Sequence, residues 1–122
     1  MRIMMRPVVL VVEDEPLVRL FASDMIEEAG FEVLQAADAT DAIVTLEDRL
    51  DVRVVFTDVD MPGGIDGIML AICIRERWPS IQIIITSGRP WPEGTALPED
   101  MVFFSKPYRQ DRVLETVRRM AA

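Results

Sequence analysis

The chain contains no histidine at all. That absence removes every mechanism built on imidazole: no Ser-His-Asp triad, no His-ligated zinc, and no phosphohistidine formed on this chain. Cysteine is nearly as scarce. The one thiol, Cys73, cannot form an internal bridge, which agrees with a reducing cytoplasm, and its apolar setting (Ile68-Met69-Leu70-Ala71-Ile72-Cys73-Ile74) predicts a buried, inert group. No apolar run approaches the roughly 18 residues that a membrane span needs, and Met1–Arg6 lacks the apolar core of a signal peptide. Basic charge is thin. Lys and Arg number 13 against 21 Asp and Glu, a formal net charge of −8 with no basic block, which argues against a nucleic-acid surface.

What is present is apolar periodicity. Half of the 122 residues are hydrophobic, enough for one domain, 1–122, with its own core. Val8–Val12 is an aliphatic run of strand length, expected to be buried on both faces. Pro16 suits a helix first turn and Gly30 its end, giving a helix over 16–29 with Leu17, Phe21, Ile26 and Ala29 as its apolar stripe. Phe31–Ala36 reads as a strand. A helix follows, capped by Asp38 or Thr40, with Ala42, Ile43, Leu46 and Leu50 on one face.

Val52–Thr57 forms a third strand ending at Asp58, and the turn-rich Met61-Pro62-Gly63-Gly64 leads to a helix over Asp66–Trp78, stopped by Pro79. Ile81–Thr86 and Val102–Phe104 complete the strands, and Asp111–Met120 closes the chain as a helix with Val113, Leu114 and Val117 inward. Between the last two strands, residues 88–100 hold Gly88, Pro90, Pro92, Gly94 and Pro98, too many breakers for a regular helix. Alternating strands and helices predict an α/β fold: (βα)₅, doubly wound, flavodoxin-like, with a five-stranded parallel sheet of order 2-1-3-4-5 and a short or irregular fourth helix.

In open parallel sheets, ligands sit beyond the carboxyl ends of the strands. At those ends this sequence places Glu13-Asp14, then Asp58 with Asp60 close behind, then Thr86-Ser87, then Ser105-Lys106. Clustered carboxylates need protons or a cation, and with no His available their hard oxygens select Mg²⁺, with Mn²⁺ possible, over zinc. Lys106 supplies a point charge for a phosphate oxygen and Ser87 a hydroxyl donor, while Asp58 is left as a nucleophile able to form an acyl phosphate. Any one of these residues alone would pass as a solvated strand end or a surface lysine; their joint placement carries the functional reading.

The same residues resemble a family. Val9-Leu10-Val11-Val12-Glu13-Asp14-Glu15, Phe56-Thr57-Asp58-Val59-Asp60-Met61-Pro62-Gly63-Gly64-Ile65-Asp66-Gly67, Thr86-Ser87-Gly88 and Phe104-Ser105-Lys106-Pro107 look like the four signature regions of response-regulator receiver domains, in the right order along nearly the whole chain. The resemblance implies that Asp58 is the phosphoacceptor. It implies Mg²⁺ held by Glu13, Asp14, Asp58 and the backbone carbonyl of Asp60, and phosphate contacts from Lys106 and the switch hydroxyl. Ser87 is preferred to Thr86 for that hydroxyl, because strand alternation sends the two to opposite faces and Gly88 supplies the small residue that follows it in relatives. The resemblance further implies a cis Lys106–Pro107 bond and a switching aromatic at Phe103 or Phe104. It also assigns control of phosphoryl lifetime to Asp60 and Arg89.

The expected activity is that of a phosphorelay switch, with self-catalysed phosphorylation and slow autodephosphorylation rather than enzymatic turnover. The expected donor is a sensor histidine kinase or histidine phosphotransferase, and the expected setting is cytoplasmic, as a monomer or weak dimer with an unidentified protein target. The Met1 start and the end just after the last helix suggest a stand-alone regulator, with excision from a hybrid kinase as the alternative. The stretch from Ser87 to Lys106 is shorter than in common relatives, which predicts a non-standard output face, with Trp91 either a partner anchor or a cover over the core. Two rivals remain. Asp58-Val59-Asp60 imitates the D-x-D nucleophile of haloacid-dehalogenase phosphatases, although that motif should follow the first strand; the other rival is an interaction module with a degenerate site.

Overall fold

The computed structural model describes residues 6–60, 67–89 and 100–122. Five strands form one sheet: β1 (Val8–Val12), β2 (Glu32–Ala36), β3 (Val52–Asp58), β4 (Gln82–Ser87) and β5 (Met101–Ser105), in the order β2-β1-β3-β4-β5. Every pairing is parallel. The described helices are α1 (Pro16–Glu28), α2 (Ala39–Asp48), α3 (Gly67–Arg77) and α4 (Gln110–Ala121). The expected fourth, irregular helix, the Met61–Gly64 loop and Trp91 lie outside the described residues.

Two cores flank the sheet. On one face Leu10, Val55, Ile83 and Ile85 pack with Leu46 of α2 and Leu70 and Ile74 of α3. On the other, Val9, Val11, Phe56 and Ile84 pack with Met25 and Ile26 of α1 and Val113 and Val117 of α4. All five residues of β1 are buried, as an aliphatic strand between two helical layers must be.

Local chemistry sets most boundaries. Pro16 opens α1, with the Glu15 carboxylate accepting from the Leu17 N–H, and Gly30 leaves it at φ +103°, a conformation that favours glycine. Asp38, and not Thr40, caps α2, its carboxylate accepting from the Asp41 N–H at 2.8 Å.

Four burial assignments require correction. Leu17 is 74% exposed and Phe21 58% exposed, so they are not part of the inward stripe of α1. The buried positions there are Ala22, Ser23, Met25 and Ile26. Leu17 lies nine residues before Ile26, about 900° of helix and therefore on the opposite side. Leu50 is exposed because α2 ends at Asp48, before the periodicity reaches it. Cys73, expected to be buried, is half-buried.

Candidate functional site

The strand register decides which polar groups meet. Asp58, last in β3, lies beside Thr86 of β4, and Ser87 lies beside Ser105 of β5. The Val59 N–H donates to the Thr86 carbonyl and the Lys106 N–H to the Ser87 carbonyl, which ties the three strand ends together at the rim. The Glu13 N–H donates to the Ala36 carbonyl, anchoring the end of β1 to that of β2.

On this frame the carboxylates of Glu13, Asp14 and Asp58 each place an oxygen within 4.8 Å of the others. Glu13 and Asp58 are almost fully buried, and Asp14 is the most open of the three. Lys106 reaches in from the β5 side, its Nζ 3.4 Å from Glu13 Oε2 and 3.4 Å from Asp58 Oδ2. Three carboxylates facing one ammonium leave a surplus of two negative charges. Burial pushes the Glu13 carboxyl up to about 6, helped by the Asp58 charge and opposed by the Glu15 N–H and Lys106.

Asp58 Oδ1 is buried without a hydrogen-bond partner among the described residues. A buried carboxylate oxygen left so is costly unless a ligand completes it. Hard oxygens alone, converging with two excess negative charges, fit a divalent cation of the Mg²⁺ type. An ion with ligands at about 2.1 Å holds its oxygens no more than about 4.2 Å apart, so the three carboxylates, within 4.8 Å of one another, need only a small inward shift to hold one.

A second group adjoins the first. The Ser87 hydroxyl donates to Asp60 Oδ2 at 3.2 Å and accepts from the Arg89 N–H at 3.0 Å. Arg89 Nη2 reaches Asp60 Oδ1 at 3.2 Å. Thr86 is buried on the opposite sheet face, the one occupied by Ile84, whereas Ser87 follows Ile85. Phe103 packs on the α2–α3 side and Phe104 on the α1–α4 side, so Phe103 shares the face of Ser87. The Lys106–Pro107 peptide bond is cis.

Two residues around the site, Arg19 and Tyr108, had not been singled out from the sequence, and a third, Gly67, stood in a signature region without a role of its own. Gly67, first in α3, donates its N–H to the Val59 carbonyl at 3.0 Å. A Cβ there would fall on the Asp58 carbonyl oxygen and 2.7 Å from Val59 Cα, so only glycine lets α3 start this close to the strand end. Its signal in the sequence was the Asp66-Gly67 pair that ends the signature region after Asp58. Arg19 of α1 donates to the Glu13 carbonyl at 2.8 Å and to Gln35 Oε1 at 3.3 Å, a long-range clamp with no local signature. Tyr108 stands edge-on to Phe56 with ring centroids 5.9 Å apart; burial raises its pKa, and the Glu13 and Asp58 charges raise it further.

Comparison with known proteins agrees with this geometry. The family model described as the response regulator receiver domain matches residues 9–118. The chain is 33% identical over 116 residues to the sensor kinase CckA of Brucella abortus, a match covering 92% of this chain and 12% of that much longer protein. Among solved structures, the signal receiver domain of an HD domain-containing protein from Pseudomonas fluorescens superposes with a TM-score of 0.85 at 25% identity, covering 95% of this chain and 94% of that one. The response regulator TrrA of Thermotoga maritima, in complex with Mg²⁺ and BeF, gives a TM-score of 0.80 at 25% identity, with 95% and 99% covered.

Proposed function

The chain belongs to the response regulator receiver family and so works in phosphorelay signalling, and on that premise we propose that Asp58 is its phosphoacceptor. One observation carries the assignment: the buried Asp58 carboxylate has Oδ2 beside Lys106 and Oδ1 without a partner, at the meeting point of three carboxylates. Glu13, Asp14, Asp58 and the Asp60 backbone carbonyl would hold Mg²⁺ or Mn²⁺. That ion, when bound, neutralises the surplus acid charge and the charge on the transferring phosphoryl group.

The donor is a phosphohistidine of a sensor histidine kinase or histidine phosphotransferase. An Asp58 oxygen attacks phosphorus, the P–N bond breaks, and its electron pair stays on the donor imidazole. Lys106 contributes its positive charge to one phosphoryl oxygen, and the Ser87 hydroxyl donates to another. Phe103, on the same face as Ser87, is the aromatic that follows its movement. Reversal of the state is hydrolytic: water attacks phosphorus, the P–O bond to Asp58 breaks, and the carboxylate returns with release of inorganic phosphate. Asp60 and Arg89, beside Ser87, set the rate of that step.

Approach to Asp58 favours one side. Leu17, Val18, Leu20 and Phe21 of α1 are exposed, and Val18 and Phe21 line a groove that runs to Lys106, Pro107 and Tyr108. Apolar surface at the mouth of a charged site supports docking of the donor there. A cytoplasmic setting goes with a histidine-kinase donor; separately, no helix among the described residues is long and apolar enough to cross a membrane.

Intact-mass measurement after incubation with Mg²⁺ and a small phosphodonor tests the assignment. One added phosphoryl mass is expected in the wild type, and none in Asp58→Asn. An adduct that persists in Asp58→Asn moves the acceptor elsewhere, and continuous turnover of a generic phosphomonoester would favour the dehalogenase-type chemistry.

A further inference from the structure

The Ser87 hydroxyl has one proton, and the structure commits it to Asp60 Oδ2 at 3.2 Å. Its oxygen is fixed from the other side by the Arg89 N–H, and Arg89 turns back through its guanidinium to hold Asp60 Oδ1. The three residues close a ring in which both partners of a nearly buried hydroxyl are polar groups other than the proposed acceptor. We propose that Asp60 is a positioning residue that acts through Ser87: its carboxylate latches the switch hydroxyl in the unphosphorylated protein, and Arg89 steadies the latch. The inference rests on Asp58 being the acceptor.

The energetics suit a latch rather than a lock. For Ser87 to serve a phosphoryl group on Asp58, the proton must leave Asp60. The Asp60 side chain is 35% exposed and that of Arg89 81% exposed, so water can satisfy both once the hydroxyl departs. A dianionic phosphoryl group is a stronger acceptor than a half-exposed carboxylate, which lets modification win. Until then the hydroxyl is held by a bond whose net value is that of an ordinary hydrogen bond. Asp60 therefore sets the ease of switching, a role separate from any effect on hydrolysis.

The test measures binding of beryllofluoride, a phosphoryl analogue, by calorimetry in saturating Mg²⁺. Asp60→Ala frees Ser87 and is expected to tighten binding by about three- to ten-fold, the equivalent of one net hydrogen bond. Asp60→Asn keeps an acceptor oxygen and is expected to stay near the wild-type value. Placing Asp60→Ala in a Ser87→Ala background is expected to abolish the gain, because the side chain through which Asp60 acts is gone. A gain that is equal in Asp60→Asn, or that survives in the Ser87→Ala background, reflects removal of negative charge alone and overturns the latch. Unchanged or weaker binding in Asp60→Ala, with normal binding by the wild type, overturns it as well. Failure of the wild type to bind beryllofluoride defeats the acceptor assignment, and the latch with it.

Discussion

Two cations in this molecule each sit between two carboxylates, and they have opposite meanings. Arg49 reaches Glu32 and Asp51 at 2.9 Å each on the surface, and its Nε donates to the second Asp51 oxygen at 3.0 Å. The hydrogen bonds to Asp51 and Glu32 raise the pKa of Arg49, and the bond to Arg49 lowers that of Asp51. Lys106 reaches Glu13 and Asp58 only at 3.4 Å, yet those acids are buried, a third joins them, and one Asp58 oxygen has no partner among the described residues. The tighter cluster is left with one surplus negative charge on the surface, where water screens it. The looser one is short of positive charge, and that shortfall is what a divalent cation and a phosphoryl group can exploit.

The buried cluster is most vulnerable at Gly67. Gly67→Ala drives a methyl group into the backbone of Asp58 and Val59, and is expected to cost about 2–3 kcal/mol of stability, as overpacking does, with a large loss in the rate of phosphoryl labelling. Chemical denaturation and intact-mass time courses measure the two effects; a variant as stable and as rapidly labelled as the wild type would show that α3 is free to shift.

Removing the buried charge sharpens the contrast next. The Glu13 carboxyl is raised from 4.5 to about 6 in the folded protein, so its proton favours folding. That contribution is fully present below pH 4.5 and is lost as pH rises through about 6, at a cost of about 2 kcal/mol by pH 7.5. In chelator, Glu13→Gln is therefore expected to be more stable than the wild type at pH 7.5, with the gain shrinking toward pH 5. Saturating Mg²⁺ should reverse the order, because the wild type gains stability by binding that the variant loses. Thermal melts at the two pH values, with and without Mg²⁺, decide it; no reversal would remove Glu13 from the metal site.

The surface cluster should give the smallest response. Arg49→Ala is expected to shift the melting temperature slightly, to lose that shift in high salt, and to leave phosphoryl labelling unchanged. Any effect on labelling would mean that the two clusters communicate through the sheet.

Much of this was legible before any coordinates. Aliphatic runs and breakers placed all five strands to within a residue at each end, and of the polar residues at those ends Glu13, Asp14, Asp58 and Lys106 converge while Thr86 does not. What periodicity misjudged was exposure: Leu17, Phe21 and Leu50 are apolar residues at plausible intervals, but helix phase and the end of α2 turn them outward. Arg19 gave no hint, because its partners Glu13 and Gln35 come together only through the β1–β2 pairing.

The amino-acid order alone determined the (βα) alternation and the types of chemistry available, since strand and helix periods and the absence of histidine are local or compositional properties. Only the tertiary structure decided that Lys106 stands between Glu13 and Asp58, that Asp60 is the group that holds Ser87, and that Gly67 must be bare. Those outcomes depend on strand register and on the approach of elements far apart along the chain, and no local interaction encodes either.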